Sequence, residues 1–152
     1  MPVQEQEGTL TPTGSVAALM DQLVEIEKTI HPKLRVYRWQ PQDIEPPALF
    51  NWITTASFEL RDQLRWRDTV TVSARIAVEH NEDDMDILTT YIDAFRNVMD
   101  DVLYNQRPIG GSATWADRLG MNMASWEFNG VPYLGVEFPL SFKLDRRITP
   151  NA

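Results

Sequence analysis

Cysteine is absent from this 152-residue chain, and histidine occurs only twice. The first absence removes disulfides as a stabilising device and agrees with folding in a reducing compartment. Together they leave too few nitrogen and sulfur donors for zinc, since His31 and His80 lie in separate segments without a metal-binding spacing. No apolar run approaches the length that crosses a bilayer. The stretch Met1-Pro2-Val3-Gln4-Glu5-Gln6-Glu7 lacks the basic-then-apolar order of a secretory signal, so a soluble, cytoplasmically made chain is expected. Basic charge is also short, 14 Lys and Arg against 22 Asp and Glu, for a net charge of −8. A pI near 4.7 argues against a protein that grips phosphate backbones. Arg61, Arg65 and Arg67 lie close together, but Glu59, Asp62 and Asp68 dilute them into ordinary solvated surface.

The short motifs that announce chemistry are missing too. Gly110-Gly111-Ser112 lacks the Gly-Lys-Ser/Thr ending of a phosphate loop, no Gly-x-Ser-x-Gly is present, and no serine has a local histidine partner. Carboxylates are abundant, yet none pair off in a way that singles out acid–base catalysis. No catalytic, cofactor-binding or metal-ligating residue is assigned, and an enzyme is not expected.

What is present is one domain's worth of sequence, 43% hydrophobic, long enough to bury a core unaided. Residues Met1 to Gly14 are polar, contain Pro2 and Pro12, and read as a flexible arm; residues 15–152 read as a single domain. Val16, Leu19, Met20, Leu23, Ile26 and Ile30 recur at three- and four-residue spacing, with Thr13 or Ser15 as cap and Pro32 as stop, which predicts a first helix. Lys33 to Trp39 and Ala48 to Ala56 read as strands around a proline loop. Thr69 to Glu79 alternates apolar and mostly polar residues and predicts a half-buried antiparallel strand.

The densest cluster of ligand-type side chains is Glu79-His80-Asn81-Glu82-Asp83-Asp84-Met85-Asp86. It has no glycine and runs straight into a stripe of Met85, Leu88, Ile92, Phe95, Met99 and Val102, which excludes a calcium loop. Asn81 as N-cap and the acids in the first turns oppose the positive end of the helix dipole, so the cluster starts a long second helix. Gln106 to Gly120 reads as a loop with one helical turn near Trp115.

Asn129-Gly130 supplies the positive-φ pair of a type I′ turn between strands Met121 to Phe128 and Val131 to Leu144. Counting from it sets Phe128 against Val131, Trp126 against Tyr133, and Met123 and Met121 against Val136 and Phe138. Met121, Met123, Leu134, Val136, Phe138, Leu140, Phe142 and Leu144 then share the core face. Trp126, Phe128 and Tyr133 are left on the opposite face, and Pro139 suggests an edge or a bulge. The fold class is α+β: a mostly antiparallel sheet of about four to five strands, ending in a long hairpin and packed against two main helices.

The opening helix "SVAALMDQLVEI", the passage "VTVSARIAVEHNEDDMDILTTYIDAFRNVMDDVL" and the ending "WEFNGVPYLGVEFPLSF" together resemble the tail terminator, or tail completion, proteins of tailed bacteriophages over about half of the chain. The shared feature is an order of elements, and no single motif is diagnostic. The resemblance implies a virion structural protein that forms a ring, usually hexameric, on the head-proximal end of the tail tube. Such a ring stops tube polymerisation and offers a head-joining face. Its implied partners are further copies of itself, the tail tube protein and the head-tail connector, with DNA passing through without specific binding and no membrane involved; its implied place is the virion tail, after assembly in the host cytoplasm. Six copies at −8 carry about −48, and an acidic lumen would let DNA slide. Glu82, Asp83 and Asp84 are lumen candidates, and Trp126, Phe128 and Tyr133 are candidates for a subunit or tube interface. The rival readings are another head-tail connector or tube-related joining protein, a small carboxylate-using α+β enzyme, and an acidic adaptor acting as a monomer or dimer.

Overall fold

The computed structural model describes residues 9–10, 15–80, 84–104, 114–115 and 120–149. Its elements in chain order are β1 (Thr9–Leu10), α1 (Val16–Glu27), β2 (Arg35–Tyr37), β3 (Ala48–Asp62), β4 (Arg65–Glu79), α2 (Asp84–Tyr104), β5 (Thr114–Trp115), β6 (Asn122–Phe128) and β7 (Val131–Thr149). The architecture is the expected α+β one. Across the mixed sheet the order is β2, β3, β4, β7, and β6, β5 and β1 each pair with β7 in turn. Among the described residues only β2 and β3 run parallel; the other pairings are antiparallel.

Helix α1 starts where the sequence caps it, since Ser15 Oγ accepts from the Ala18 N–H at 3.0 Å. It ends at Glu27, a turn earlier than the apolar spacing suggests. There the bonding tightens to three residues, with the Thr29 N–H on the Ile26 carbonyl and the Ile30 N–H on that of Glu27. Leu19, Met20 and Leu23 point inward and are fully buried. From α2, Leu88, Phe95, Met99 and Val102 meet the same sheet face, and Phe95 stacks on Phe138 at 3.9 Å between ring centroids. The main core lies between the helices and Leu49, Val70, Val72, Ala74, Ile76, Val136, Phe138, Leu140, Phe142 and Leu144.

Further expectations change. Strand β4 is central rather than half-exposed, and Ser73 and Ala77 of its second face are as buried as its valines. Thr114–Trp115 is a short strand against Lys143 and Phe142, not a helical turn. Thr9 and Leu10, within the stretch read as a flexible arm, pair with Thr149 and Ile148.

The hairpin follows its predicted register, with Phe128 against Val131, Trp126 against Tyr133 and Met123 against Val136. Its turn has φ of 51° at Asn129 and 78° at Gly130. Strand β6 begins only at Asn122, so Met121 lies outside the ladder. Both methionines are nearly half exposed instead of core, because they sit on the margin of the sheet. Pro139 falls on the stretch of β7 between its pairings with β6 and β5, where a missing donor breaks neither ladder.

Candidate functional site

Residues 38–47 leave β2 and return to start β3 in parallel beside it, and this loop crosses the sheet face that the helices do not cover. Beneath it lies a second, smaller core of Ile44, Ala48, Phe50, Ala77, Phe128 and Tyr133, with Tyr37 and Trp126 packed against it. Phe50 meets Trp126 and Phe128 edge to face, each at 5.5 Å, and Phe128 meets Tyr133 at 5.8 Å. Two of the three interface candidates, Phe128 and Tyr133, are therefore buried within their own chain. Counting residues gave their face correctly, but not the loop that covers it.

Trp126 is half-buried and does structural work in that small core. Its ring lies over Gly135 so closely that a Cβ there would fall 1.9 Å from Cζ3. The Arg75 guanidinium sits 5.8 Å from the indole centroid and is also held by Gln40 Oε1 and Ser73 Oγ. Arg75 Nε lies 3.6 Å from Glu137 Oε2, which accepts from Ser73 Oγ at 3.1 Å. Of the lumen candidates, Glu82 and Asp83, like the expected cap Asn81, lie outside the described residues; Asp84 is the first residue of α2.

The surface that sequence reasoning passed over is the far half of the β3–β4 hairpin. Strand β2 pairs with β3 only through Ala48, Leu49 and Phe50. Among the described residues no strand lies on the outer side of β3 from Asn51 to Asp62. A bulge at Thr54 resets the alternation, since Ile53 faces Val72 while Thr55 faces Thr71. Ala56, Phe58 and Leu60 are thereby brought opposite Val70, Asp68 and Trp66, on the helix side of the sheet. Phe58 is 60% exposed and Leu60 55%, because neither helix covers them; Trp52, on the other face, is 50% exposed. The charges around the tip are paired, Arg61 with Glu59, Arg65 with Asp62 and Arg67 with Asp145. The bonds to Leu64 N–H and Arg65 hold the Asp62 carboxyl below its usual range. Asp68, read with them as a surface acid, is instead buried.

Among the described residues no cluster of three metal-ligating side chains occurs. An open groove of about 370 Å³ between the helices is lined by Glu25, Ile26, Thr29, Asn97, Val98 and Asp101. No helix of the described chain is long and apolar enough to cross a membrane. No protein-family model matches the chain, and no curated protein matches it.

Proposed function

We propose that this chain is a structural subunit of a phage tail, a terminator that closes the tail tube as a ring and presents a face to the head-side connector. The observation that carries this reading is the projecting β3–β4 arm, whose β3 strand leaves Trp52, Phe58 and Leu60 exposed beside an edge that no strand among the described residues pairs. Long open edges with exposed large apolar groups invite association, and soluble chains that remain alone usually guard them with charge, proline or a covering element. From Trp52 to Phe58 the strand carries no charge and no proline. The resemblance in element order adds support, as does the net charge of −8, which suits a passage that DNA must traverse without sticking. The interface assignment passes from Phe128 and Tyr133 to the arm, with Trp126 at most a margin of it.

Native mass spectrometry over a micromolar concentration series, followed by electron microscopy with purified tail tubes, tests the proposal. A discrete hexamer, or a cap bound at one end of the tubes, is the expected result. A strict monomer that leaves both tube ends bare would overturn it and favour the monomeric adaptor.

A further inference from the structure

Glu27, in the last turn of α1, meets Asn51 of β3 in the interior, and neither residue is exposed to solvent. Asn51 Nδ2 donates to Glu27 Oε1 at 2.6 Å. The two remaining side-chain oxygens, Glu27 Oε2 and Asn51 Oδ1, are buried without a hydrogen-bond partner among the described residues. Both are acceptors when the carboxyl is ionised, so neither satisfies the other. A carboxylic acid and a primary amide are complementary, each offering one donor and one acceptor. One proton on Glu27 would supply both orphan oxygens with the same hydrogen bond, at a place where an unmet polar group is costly.

We propose that Glu27 is held as the neutral acid, closing a two-hydrogen-bond pair with Asn51 that latches α1 to the root of the β3–β4 arm, and that loss of this proton releases the latch. Asn51 is the first residue of β3 beyond its pairing with β2, so it marks where the arm leaves cover. Among the described residues no charge is placed to compensate the pair. On α1, Asp21, Glu25 and Lys28 are exposed, and β3 carries no charge between Ala48 and Glu59. On β4, Arg75 lies on the opposite sheet face, and Asp68 pairs with Phe58 well along the arm. On α2, Asp86, Asp93, Arg96, Asp100 and Asp101 are exposed, while Tyr91 packs edge-on to His31. Burial is the leading influence, raising the Glu27 carboxyl from 4.5 to about 8 against the opposing pull of the Asn51 hydrogen bond.

The sign follows from proton linkage. A carboxyl that binds its proton more tightly when folded stabilises the fold most below about pH 4.5, loses that contribution as pH rises toward about 8, and is level above it. Urea unfolding of the full chain and of Glu27→Gln, compared from pH 5 to 9, reads this directly. The glutamine amide keeps both hydrogen bonds without a titrating proton, and the two histidines cancel in the comparison. The folded-to-unfolded ratio of the wild type is expected to fall relative to Glu27→Gln by about tenfold per pH unit between roughly pH 5.5 and 7.5. Parallel profiles would overturn the proposal. Infrared spectroscopy of the wild type needs no variant: a buried protonated-carboxyl band at pH 6 that vanishes by pH 9 is expected, and its absence at pH 6 would overturn the proposal equally.

Discussion

The root and the tip of the β3–β4 hairpin are made of the same two strands under different cover. At the root, Leu49 and Ile76 lie under the helices, and Ala48, Phe50 and Ala77 lie in the smaller core under the 38–47 loop. At the tip, Phe58 and Leu60 occupy the same sheet face as Val70 and Val72 yet stand in solvent. Alternation sets which side a residue takes, while coverage decides whether that side is a core or a surface. The Thr54 bulge sharpens the contrast. Had Thr54 taken a regular place in the ladder, the helix-side series Leu49, Asn51, Ile53 would continue through Thr55, Ser57 and Glu59, and the tip would present a polar face.

Four substitutions test the contrast, taken from the largest expected effect to the smallest. Phe95→Ala removes the ring stacked on Phe138 in the covered half, and chemical denaturation should register a loss of about 3–5 kcal/mol. Gly135→Ala forces a methyl against the Trp126 ring and within 2.5 Å of the Ile76 carbonyl oxygen, so the smaller core should lose about 1–3 kcal/mol in the same assay. A cost below that range would mean that the indole swings aside freely and that this face is a surface after all. Gly130→Ala places a side chain at φ of 78° with open space around it; a penalty of about 1 kcal/mol measures turn strain alone. Phe58→Ser touches only the exposed tip and should leave monomer stability within about 0.5 kcal/mol while reducing oligomer or tube binding by light scattering. Should Phe58→Ser unfold the monomer and spare assembly, the arm would be core and the division drawn here would fail.

A similar boundary separates what was legible along the chain from what was not. Glu27 stands four residues after Leu23 and three before Ile30, on the apolar stripe of α1, so its burial was open to reading from the spacing. Its partner Asn51 was not, being 24 residues away on a strand whose face depends on the whole sheet. Phe58 and Leu60 carried an alternating signal, but the expected strand stopped at Ala56, short of both. For Trp126, Phe128 and Tyr133 the register was countable from Asn129-Gly130, whereas their cover arrives from a loop some eighty residues earlier.

Sequence by itself determined the features that depend on near neighbours: a cap at Thr13 or Ser15, the two helical stripes, the positive-φ turn, the hairpin register, and an acidic chain without a metal or nucleophile motif. Only the tertiary structure decided which faces are covered. It turned the aromatic face into a second core, buried an acid against an amide, and left Trp52, Phe58 and Leu60 of the arm exposed. The physical reason is that hydrogen-bond geometry and side-chain period are local, whereas burial depends on whatever the folded chain sets opposite each face.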